Sequence, residues 1–159
     1  MEDAVVPVEV WRLAQDADQT DVVVLRDAYG RHLPVWIGQW EAAAIWMELE
    51  PERAGPLRRR PMTHDLFIRV LDRLGAHIER VVVDDYYNKT YYAKLFVQLD
   101  GKGFTMDCRP SDGIALALRA RAPILVAEDI MSQGPYVQEI EESETEESGI
   151  EESEQEQEE

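Results

Sequence analysis

Residues 21–40 read DVVVLRDAYGRHLPVWIGQW and give the clearest indication of the fold. Val22–Leu25 is a short continuous apolar run, which is typical of a strand covered on both faces. The next four-residue group, Asp27–Gly30, has Asp at the first and Gly at the last position of a turn. Leu33, Val35 and Ile37 then alternate with other residues, as in a second strand. The stretch therefore predicts an antiparallel hairpin.

Further strands are predicted on both sides of this hairpin from Val-rich or alternating patterns. Pro34 cannot donate a backbone hydrogen bond, so its strand is expected at a sheet edge or with that amide position facing outward. A turn over Asp85–Lys89, with Asn88 suited to a left-handed conformation, predicts a second long hairpin. The other predicted strand segments are Val5–Leu13, Ile78–Val83, 91–99, Phe104–Cys108 and Ile124–Ala127.

Three helices are predicted between the strands. The first covers Gln39–Glu50, and a loop over Pro51–Pro61 follows it. The second begins after Thr63 as N-cap and ends at Gly75, and the third is capped by Ser111 and stopped before Pro123. Together these patterns predict an α+β fold: a mostly antiparallel sheet with about three helices packed against it, in a single domain.

The first predicted helix is apolar nearly all round, and Trp40 and Trp46 lie on it. Such a helix is either buried in its own domain or covered by a second subunit. Tryptophan is enriched at protein interfaces, but it also fills ordinary cores. The sequence leaves both interpretations open.

The chain has 159 residues and a formal net charge of −17, but the charge is unevenly distributed. Residues 138–159 contain 12 Glu and no Lys or Arg, which leaves 21 acidic against 16 basic side chains in residues 1–137. A segment so charged cannot bury enough apolar surface to offset its ordering entropy. We therefore predict a folded domain over residues 1–132 and a disordered acidic tail over residues 133–159.

Composition also argues against several classes of protein. The longest apolar run, Ala42–Met47, is far shorter than the roughly 20 residues of a membrane helix. The acidic N-terminus does not resemble a signal peptide, and the single cysteine, Cys108, cannot form an internal disulfide. We expect a cytoplasmic protein that does not associate with a membrane.

Polar side chains gather at the starts of the second and third predicted helices, within residues 61–65 and 107–112. His64 could exchange a proton near neutral pH, and Arg109 could clamp a phosphate. Asp65, Asp107 and Asp112 could hold a hard cation such as Mg²⁺ or Mn²⁺. These residue types would suit acid–base or metal-assisted cleavage of phosphodiesters.

A structural interpretation explains much of the same pattern. Thr63 and Ser111 would be caps, first-turn acids would complement helix dipoles, and Arg109 would pair with an Asp to hold a loop. Cys108 is interpreted as a small buried hydrophobe rather than a nucleophile. Arg58, Arg59 and Arg60 form the basic cluster, which is a candidate nucleic-acid contact or simply a solvated loop.

Several segments of the chain, in this order, resemble the bifunctional nuclease domain, a family also catalogued as a domain of unknown function. The resemblance extends from about Val5 to Met131. Cys108 and Gly113 depart from the usual pattern, which has a small residue and Ala at these positions. The similar segments are 25–27, 30–31, 33–38, 41–42, 62–66 and 107–117.

The resemblance implies a compact α+β domain, often dimeric, that acts on DNA and RNA. Carried over by position, the matching polar residues are Glu41, His64, Asp65, Asp107, Arg109, Ser111 and Asp112. Glu41 enters as a weak further metal-ligand candidate. The prediction is a nuclease with His64, Asp65, Asp107 and Asp112 in catalysis, the basic residues and Ser111 on the substrate, and a homodimer or higher oligomer.

The alternative prediction is a non-enzymatic binding or regulatory module. In that interpretation the same loops and the Trp-rich helix receive a protein partner or a small anion, and the polar residues only hold the loops together.

Overall fold

The protein folds as an eight-stranded sheet with helices packed against it, which confirms the α+β prediction. A computed structural model describes residues 3–57 and 60–134 and the backbone of Gln138–Glu139. The strand order is β6-β5-β4-β7-β1-β2-β3-β8. All pairs are antiparallel except β4 with β7. The strands are β1 Val5–Gln15, β2 Asp21–Asp27, β3 Arg31–Ile37, β4 Ala76–Tyr87, β5 Thr90–Leu99, β6 Lys102–Cys108, β7 Ile124–Ala127 and β8 Gln138–Glu139.

The described part of the chain contains five α-helices rather than about three. The long ones, α1 Gln39–Leu49, α3 Thr63–Leu74 and α4 Pro110–Ala120, confirm the predicted helices. The short ones are α2 Pro51–Ala54 and α5 Glu128–Gln133, and a 3₁₀ turn covers Gly55–Leu57. The predicted loop over 51–61 is therefore partly wrong, because Pro51 at the first helical position favours a helix start.

The turns form largely where the sequence predicted them. Gly30 has φ 83° in the β2–β3 turn, and the buried Asp27 carboxylate accepts the backbone N–H groups of Tyr29 and Arg31. Asn88 has φ 50°, as expected, but β4 continues to Tyr87 and the turn is tighter than predicted. Pro34 lies where β3 pairs only with β2 among the described residues.

Both predicted N-caps are wrong by one or two positions. The N-cap of α3 is Met62, whose backbone N–H donates to Asp65 Oδ2 at 2.9 Å. The N-cap of α4 is Arg109, because Pro110 with its fixed φ fits the first helical position, which places the N-cap two residues before Ser111. With these N-caps, Asp65 and Asp112 are each the third residue of their helix.

The core lies between the sheet and the long helices. Val22–Leu25 is buried throughout, as predicted for a strand covered on both faces. Seven residues of α4 are buried, so this helix is the central element of the helical layer. None of the helices in the described part of the chain is long and apolar enough to cross a membrane.

Candidate active site at the start of helix α4

An ion pair marks the start of α4. Arg109 Nε donates to Asp112 Oδ2 at 2.7 Å, and its Nη2 donates to Asp112 Oδ1 at 3.0 Å. This two-point contact fixes the guanidinium plane beside the helix start. Because the Arg109 side chain is still 63 % exposed, the pair is open to a ligand from solvent.

His64 joins this pair from α3. Its Nε2 lies 3.0 Å from Asp112 Oδ1, across 48 positions in the sequence. The contact depends on α3 lying beside α4, which brings the first turns of the two helices together. The His64 side chain is mostly buried, so its ring is held in a defined place next to the exposed Arg109.

Glu41 completes the cluster from α1. Arg109 Nη1 donates to Glu41 Oε1 at 2.8 Å, so one guanidinium links the first turns of α1 and α4. Gly38 makes room for this carboxylate: a Cβ at position 38 would lie 2.3 Å from Glu41 Oε2. The Gly38 and Glu41 positions are therefore coupled through space.

The charges of the cluster follow from these contacts. Burial raises the pKa of Asp112, but the hydrogen bonds from Arg109 and His64 outweigh this effect and hold its pKa below the ordinary value. Asp112 is therefore a carboxylate at neutral pH and can only accept hydrogen bonds. The proton between Asp112 and His64 must then lie on His64 Nε2. In the neutral imidazole this leaves Nδ1 as the basic nitrogen.

Arg109 keeps its positive charge and part of its donor capacity. Its contacts with Asp112, and then with Glu41, raise the pKa of the guanidinium further. An arginine has five N–H donors, and three of them are used in the contacts above. Among the described residues no partner is found for the other two, which can donate to a phosphate.

Cys108 lies directly before this site, and its surroundings do not activate it. Burial, followed by the charges of nearby aspartates, raises the pKa of its thiol to about 11. A Cβ at Gly113 would lie 2.7 Å from Val81 Cγ1 and 3.3 Å from Cys108 Sγ. The glycine at 113 therefore leaves space chiefly for Val81, and Cys108 is the next neighbour.

Asp65 belongs to a different cluster. Its Oδ1 accepts from Arg119 Nε at 2.8 Å, and Arg119 Nη1 donates to the Ala44 and Ala115 carbonyls. The Arg119 side chain is only 4 % exposed. Successive helical residues project about 100° apart, so His64 meets the first turn of α4 while Asp65 meets its last turn.

Three cavities show which predicted residues come together. One of about 310 Å³ is lined by His64, Asp107, Cys108 and Asp112 together with Phe67 and Met106. A second, of about 480 Å³, is lined by Arg109 and Ser111. A third, of about 420 Å³, is lined by Asp65, Arg60 and Arg119. Arg58 and Arg59 lie outside the described residues.

Two of the predicted metal ligands, Asp112 and Asp65, are held by arginines in this arrangement. Both oxygens of Asp112 accept from Arg109, and Asp65 is held by Arg119 in the third cavity. Within the described residues, no group of three or more His, Cys, Asp or Glu side chains could hold a metal ion. A guanidinium occupies the place between Asp112 and Glu41 that a cation would need.

Two residues around Arg109 were not found by sequence reasoning. Lys89 and the half-exposed Trp36 line the second cavity with Arg109 and Ser111. Trp36 Nε1 donates to Asp16 at 3.0 Å, which fixes its ring. In the sequence, only the predicted turn at Asn88 lies near either residue. Their closeness to Arg109 could not be predicted, because Trp36 is on β3 and Lys89 is in the turn between β4 and β5.

Similarity to known proteins agrees with the motifs quoted above. The family model of the bifunctional nuclease domain matches residues 23–139. An uncharacterized protein found in two strains of Mycobacterium tuberculosis is 40 % identical over 123 residues, covering 77 % of this chain and 70 % of that protein.

Two plant proteins are more distantly similar. Bifunctional nuclease 2 of rice is 31 % identical over 70 residues, which is 42 % of this chain and 22 % of that protein. Bifunctional nuclease 1 of Arabidopsis thaliana is 25 % identical over 108 residues, 66 % of this chain and 32 % of that protein. With most of the folded domain matched by the family model, the chain belongs to the bifunctional nuclease domain family.

Proposed function

We propose that this protein is a nuclease that hydrolyses phosphodiester bonds of DNA or RNA at the start of α4. One observation carries the proposal: His64, Asp112 and Arg109 form a connected, solvent-accessible hydrogen-bonded group at one helix start. The group combines a proton acceptor, a residue that orients it and a phosphate-binding cation. The family of the chain and the names of its plant relatives support the same class of reaction.

His64 is the proposed general base. Asp112 accepts the Nε2–H and so holds the ring in the tautomer that leaves Nδ1 free to accept a proton. In the reaction, a water oxygen attacks the phosphorus and gives its proton to Nδ1. The P–O bond to one sugar oxygen breaks, that oxygen takes a proton from solvent as it leaves, and His64 afterwards releases its proton to solvent. The products are a phosphomonoester and an alcohol.

Arg109 is the proposed phosphate ligand. Its two remaining N–H donors can bind non-bridging oxygens, whose negative charge grows in the transition state. Asp112 and Glu41 hold the guanidinium on two sides, so it does not reorganise when the substrate binds. These two carboxylates are therefore positioning groups for Arg109.

The second cavity offers a place for the neighbouring nucleotide. Trp36 lines this cavity with an aromatic side chain, and Lys89 and Arg109 supply positive charge there. Aromatic rings that stack with bases, combined with cations on the backbone, are typical of single-strand binding. It stays a prediction that the substrate contacts Arg58, Arg59 and Arg60. Assistance of the reaction by Mg²⁺ or Mn²⁺ also stays a prediction.

The proposal is tested by comparing two histidine variants. His64→Ala removes the proposed base, whereas His77→Ala removes an exposed histidine near the start of β4. Cleavage of single-stranded DNA and RNA would be measured with EDTA, with Mg²⁺ and with Mn²⁺. We expect His64→Ala to lose activity by about 100-fold or more and His77→Ala to match the wild type.

Circular dichroism and thermal unfolding would show that both variants are folded. Equal activity of His64→Ala and wild type would contradict the site. If the wild type cleaves neither substrate under any of the three conditions but retains a partner protein or a small anion, the binding-module alternative is favoured instead.

A further inference from the structure

The second cavity, which lies beside the candidate active site, has a lining that is unusual for so acidic a chain. The chain has 33 acidic side chains, yet no Asp or Glu is among the described residues that line this cavity. The charged residues in its lining are the cations Lys89 and Arg109. Its volume of about 480 Å³ is within the range of small-molecule sites, so it has room for more than a single ion.

Ser111 brings a buried hydroxyl to this cavity. The residue is only 6 % exposed, and it lines the cavity as the second residue of α4. Within the described part of the chain, no hydrogen bond joins its Oγ to another residue. Buried side-chain hydroxyls in native proteins almost always have a partner. An unpartnered one that borders a cavity therefore indicates a ligand site.

The start of α4 adds backbone donors at the same place. The first turn of a helix has N–H groups without a partner inside the helix, and the helix dipole is positive at this end. Pro110 has no N–H group, so the donors are those of Ser111 and Asp112, and the N-cap residue Arg109 makes no side-chain cap. The Asp112 carboxylate lines the neighbouring cavity with His64. The start of α4 is thus open to an anion.

Helix α1 also begins at this cavity, at Gly38, but a carboxylate lies over its start. A Cβ at position 38 would lie 2.3 Å from Glu41 Oε2. The same carboxylate accepts a hydrogen bond from Arg109. Because the Glu41 charge repels an anion from α1, the start of α4 is the one that can receive it.

Lys89 supplies a positive charge from the turn between β4 and β5. It is exposed and forms no ion pair with another residue of the described part of the chain. Its φ of 61° lies in the left-handed region, where glycine is favoured and a lysine is strained. The turn therefore keeps a cation at the cavity despite this strain, as is typical of ligand-binding positions.

We propose that the second cavity binds a phosphate group of the substrate strand next to the one that is cleaved, an inference that rests on the proposed nuclease function. Ser111 Oγ, the first-turn N–H groups of α4 and the Lys89 ammonium are its donors. Arg109 lines this cavity, and its partner Asp112 lines the cavity that contains His64, so the two cavities meet at the ion pair. Consecutive phosphates of one strand then lie on either side of Arg109.

The preferred substrate is then a strand with at least one phosphate besides the one that is cleaved. A dinucleoside monophosphate has only the phosphate that is cleaved and leaves the second cavity without an anion. The same dinucleotide with a terminal phosphate fills both places. Since the added hydrogen bonds are charge-assisted, they should raise kcat/KM clearly.

The test compares these two substrates, with the terminal phosphate placed at the 5′ end and at the 3′ end in turn. We would measure kcat/KM for wild type, Lys89→Asn and Ser111→Ala. Asparagine suits the left-handed conformation at position 89, and alanine is a good helix former, so both variants keep the backbone. The matched control is Lys102→Asn, which removes an exposed lysine at the opposite end of β5.

We expect the better-placed terminal phosphate to raise kcat/KM by about 10-fold or more in wild type and in Lys102→Asn. In Lys89→Asn and in Ser111→Ala this gain should fall to about 3-fold or less. The ratio of the two substrates is taken within each protein, so a general loss of activity does not enter the comparison.

Calorimetric titration with inorganic phosphate gives a readout that does not need catalysis. The Kd of wild type for phosphate should rise by about 10-fold in Lys89→Asn and in Ser111→Ala and should stay unchanged in Lys102→Asn. Thermal unfolding of the three variants would show that each of them is folded.

The proposal is overturned if wild type gains nothing from a terminal phosphate at either end, if Lys89→Asn or Ser111→Ala keeps the full gain, or if Lys102→Asn loses it. If no protein cleaves either substrate, the nuclease proposal fails and the titration decides alone. Phosphate binding that is weakened in Lys89→Asn and Ser111→Ala but not in Lys102→Asn would then support the phosphate site. Any other pattern of binding would overturn it.

Discussion

The first turns of α3 and α4 both carry an aspartate paired with an arginine, but the two pairs differ in their surroundings. Asp65 is held by Arg119, whose side chain is 4 % exposed, whereas Asp112 is held by Arg109, whose side chain is 63 % exposed. The Arg119 guanidinium also donates to two backbone carbonyls. The first pair is therefore built into the packing of three helices, and the second is available to a ligand.

The residue pattern at a helix start therefore does not determine whether the helix start has a structural or a ligand-binding role. Asp65 follows His64 directly, and both residues matched the family pattern equally well. Only the position of α4 separates them, since His64 contacts its first turn and Asp65 its last turn. The site at the start of α4 thus includes His64 of α3 but not its neighbour Asp65.

The largest expected effect on stability is at the buried pair. Asp65→Asn removes a charge beside a guanidinium whose side chain is only 4 % exposed, so we expect the free energy of unfolding to fall by about 2 kcal/mol. Asp112→Asn at the exposed pair should change it by less than about 1 kcal/mol. Urea denaturation of the two variants beside wild type measures both values.

Equal loss of stability in the two variants would contradict the interpretation that the Asp65–Arg119 pair stabilises the fold while the Asp112–Arg109 pair is available to a ligand. Asp65→Asn is also helpful because it keeps the size of the side chain, so a cavity does not add to the result.

A smaller effect is expected in the pH dependence of stability. The pKa of Asp112 is lowered in the folded protein, because the hydrogen bonds from Arg109 and His64 outweigh the effect of burial. Its ionised form therefore contributes stability above the ordinary carboxyl pKa of about 3.9, and this contribution is lost as the pH falls through the lowered value. The melting temperatures of wild type and Asp112→Asn should converge as the pH is lowered below about 4.

A constant difference between these melting temperatures down to strongly acidic pH would show that the Asp112 charge is not what stabilises the wild type. The effect should be small because the ion pair is solvent-exposed and screened.

Local patterns in the sequence were sufficient for the framework of the fold. The apolar run at Val22–Leu25, the turn at Asp27–Gly30 and the periodicity of the three long helices are properties of neighbouring residues, and the structure confirms them. The N-caps were misplaced because Thr63 and Ser111 are good caps in isolation. In the chain, Pro110 sets one helix start, while Asp65 accepts the backbone N–H of Met62 at the other.

The candidate site was predictable in its residues but not in its connections. His64, Arg109 and Asp112 stand out as residue types, whereas the contacts of Arg109 with Glu41 and of Asp65 with Arg119 join positions 68 and 54 residues apart. The exposed side of α3 was also unpredictable, because an amphipathic pattern does not tell whether the apolar side meets the core or solvent.

Phosphodiester cleavage per folded molecule in Asp112→Asn and Asp65→Asn tests directly whether the site lies at the exposed pair. Folded fractions would be taken from the denaturation curves, so that stability does not enter the comparison. We expect Asp112→Asn to lose at least about 10-fold in activity, because His64 and Arg109 lose their shared anchor, and Asp65→Asn to retain wild-type activity. Loss of activity in Asp65→Asn with normal activity in Asp112→Asn would contradict this expectation.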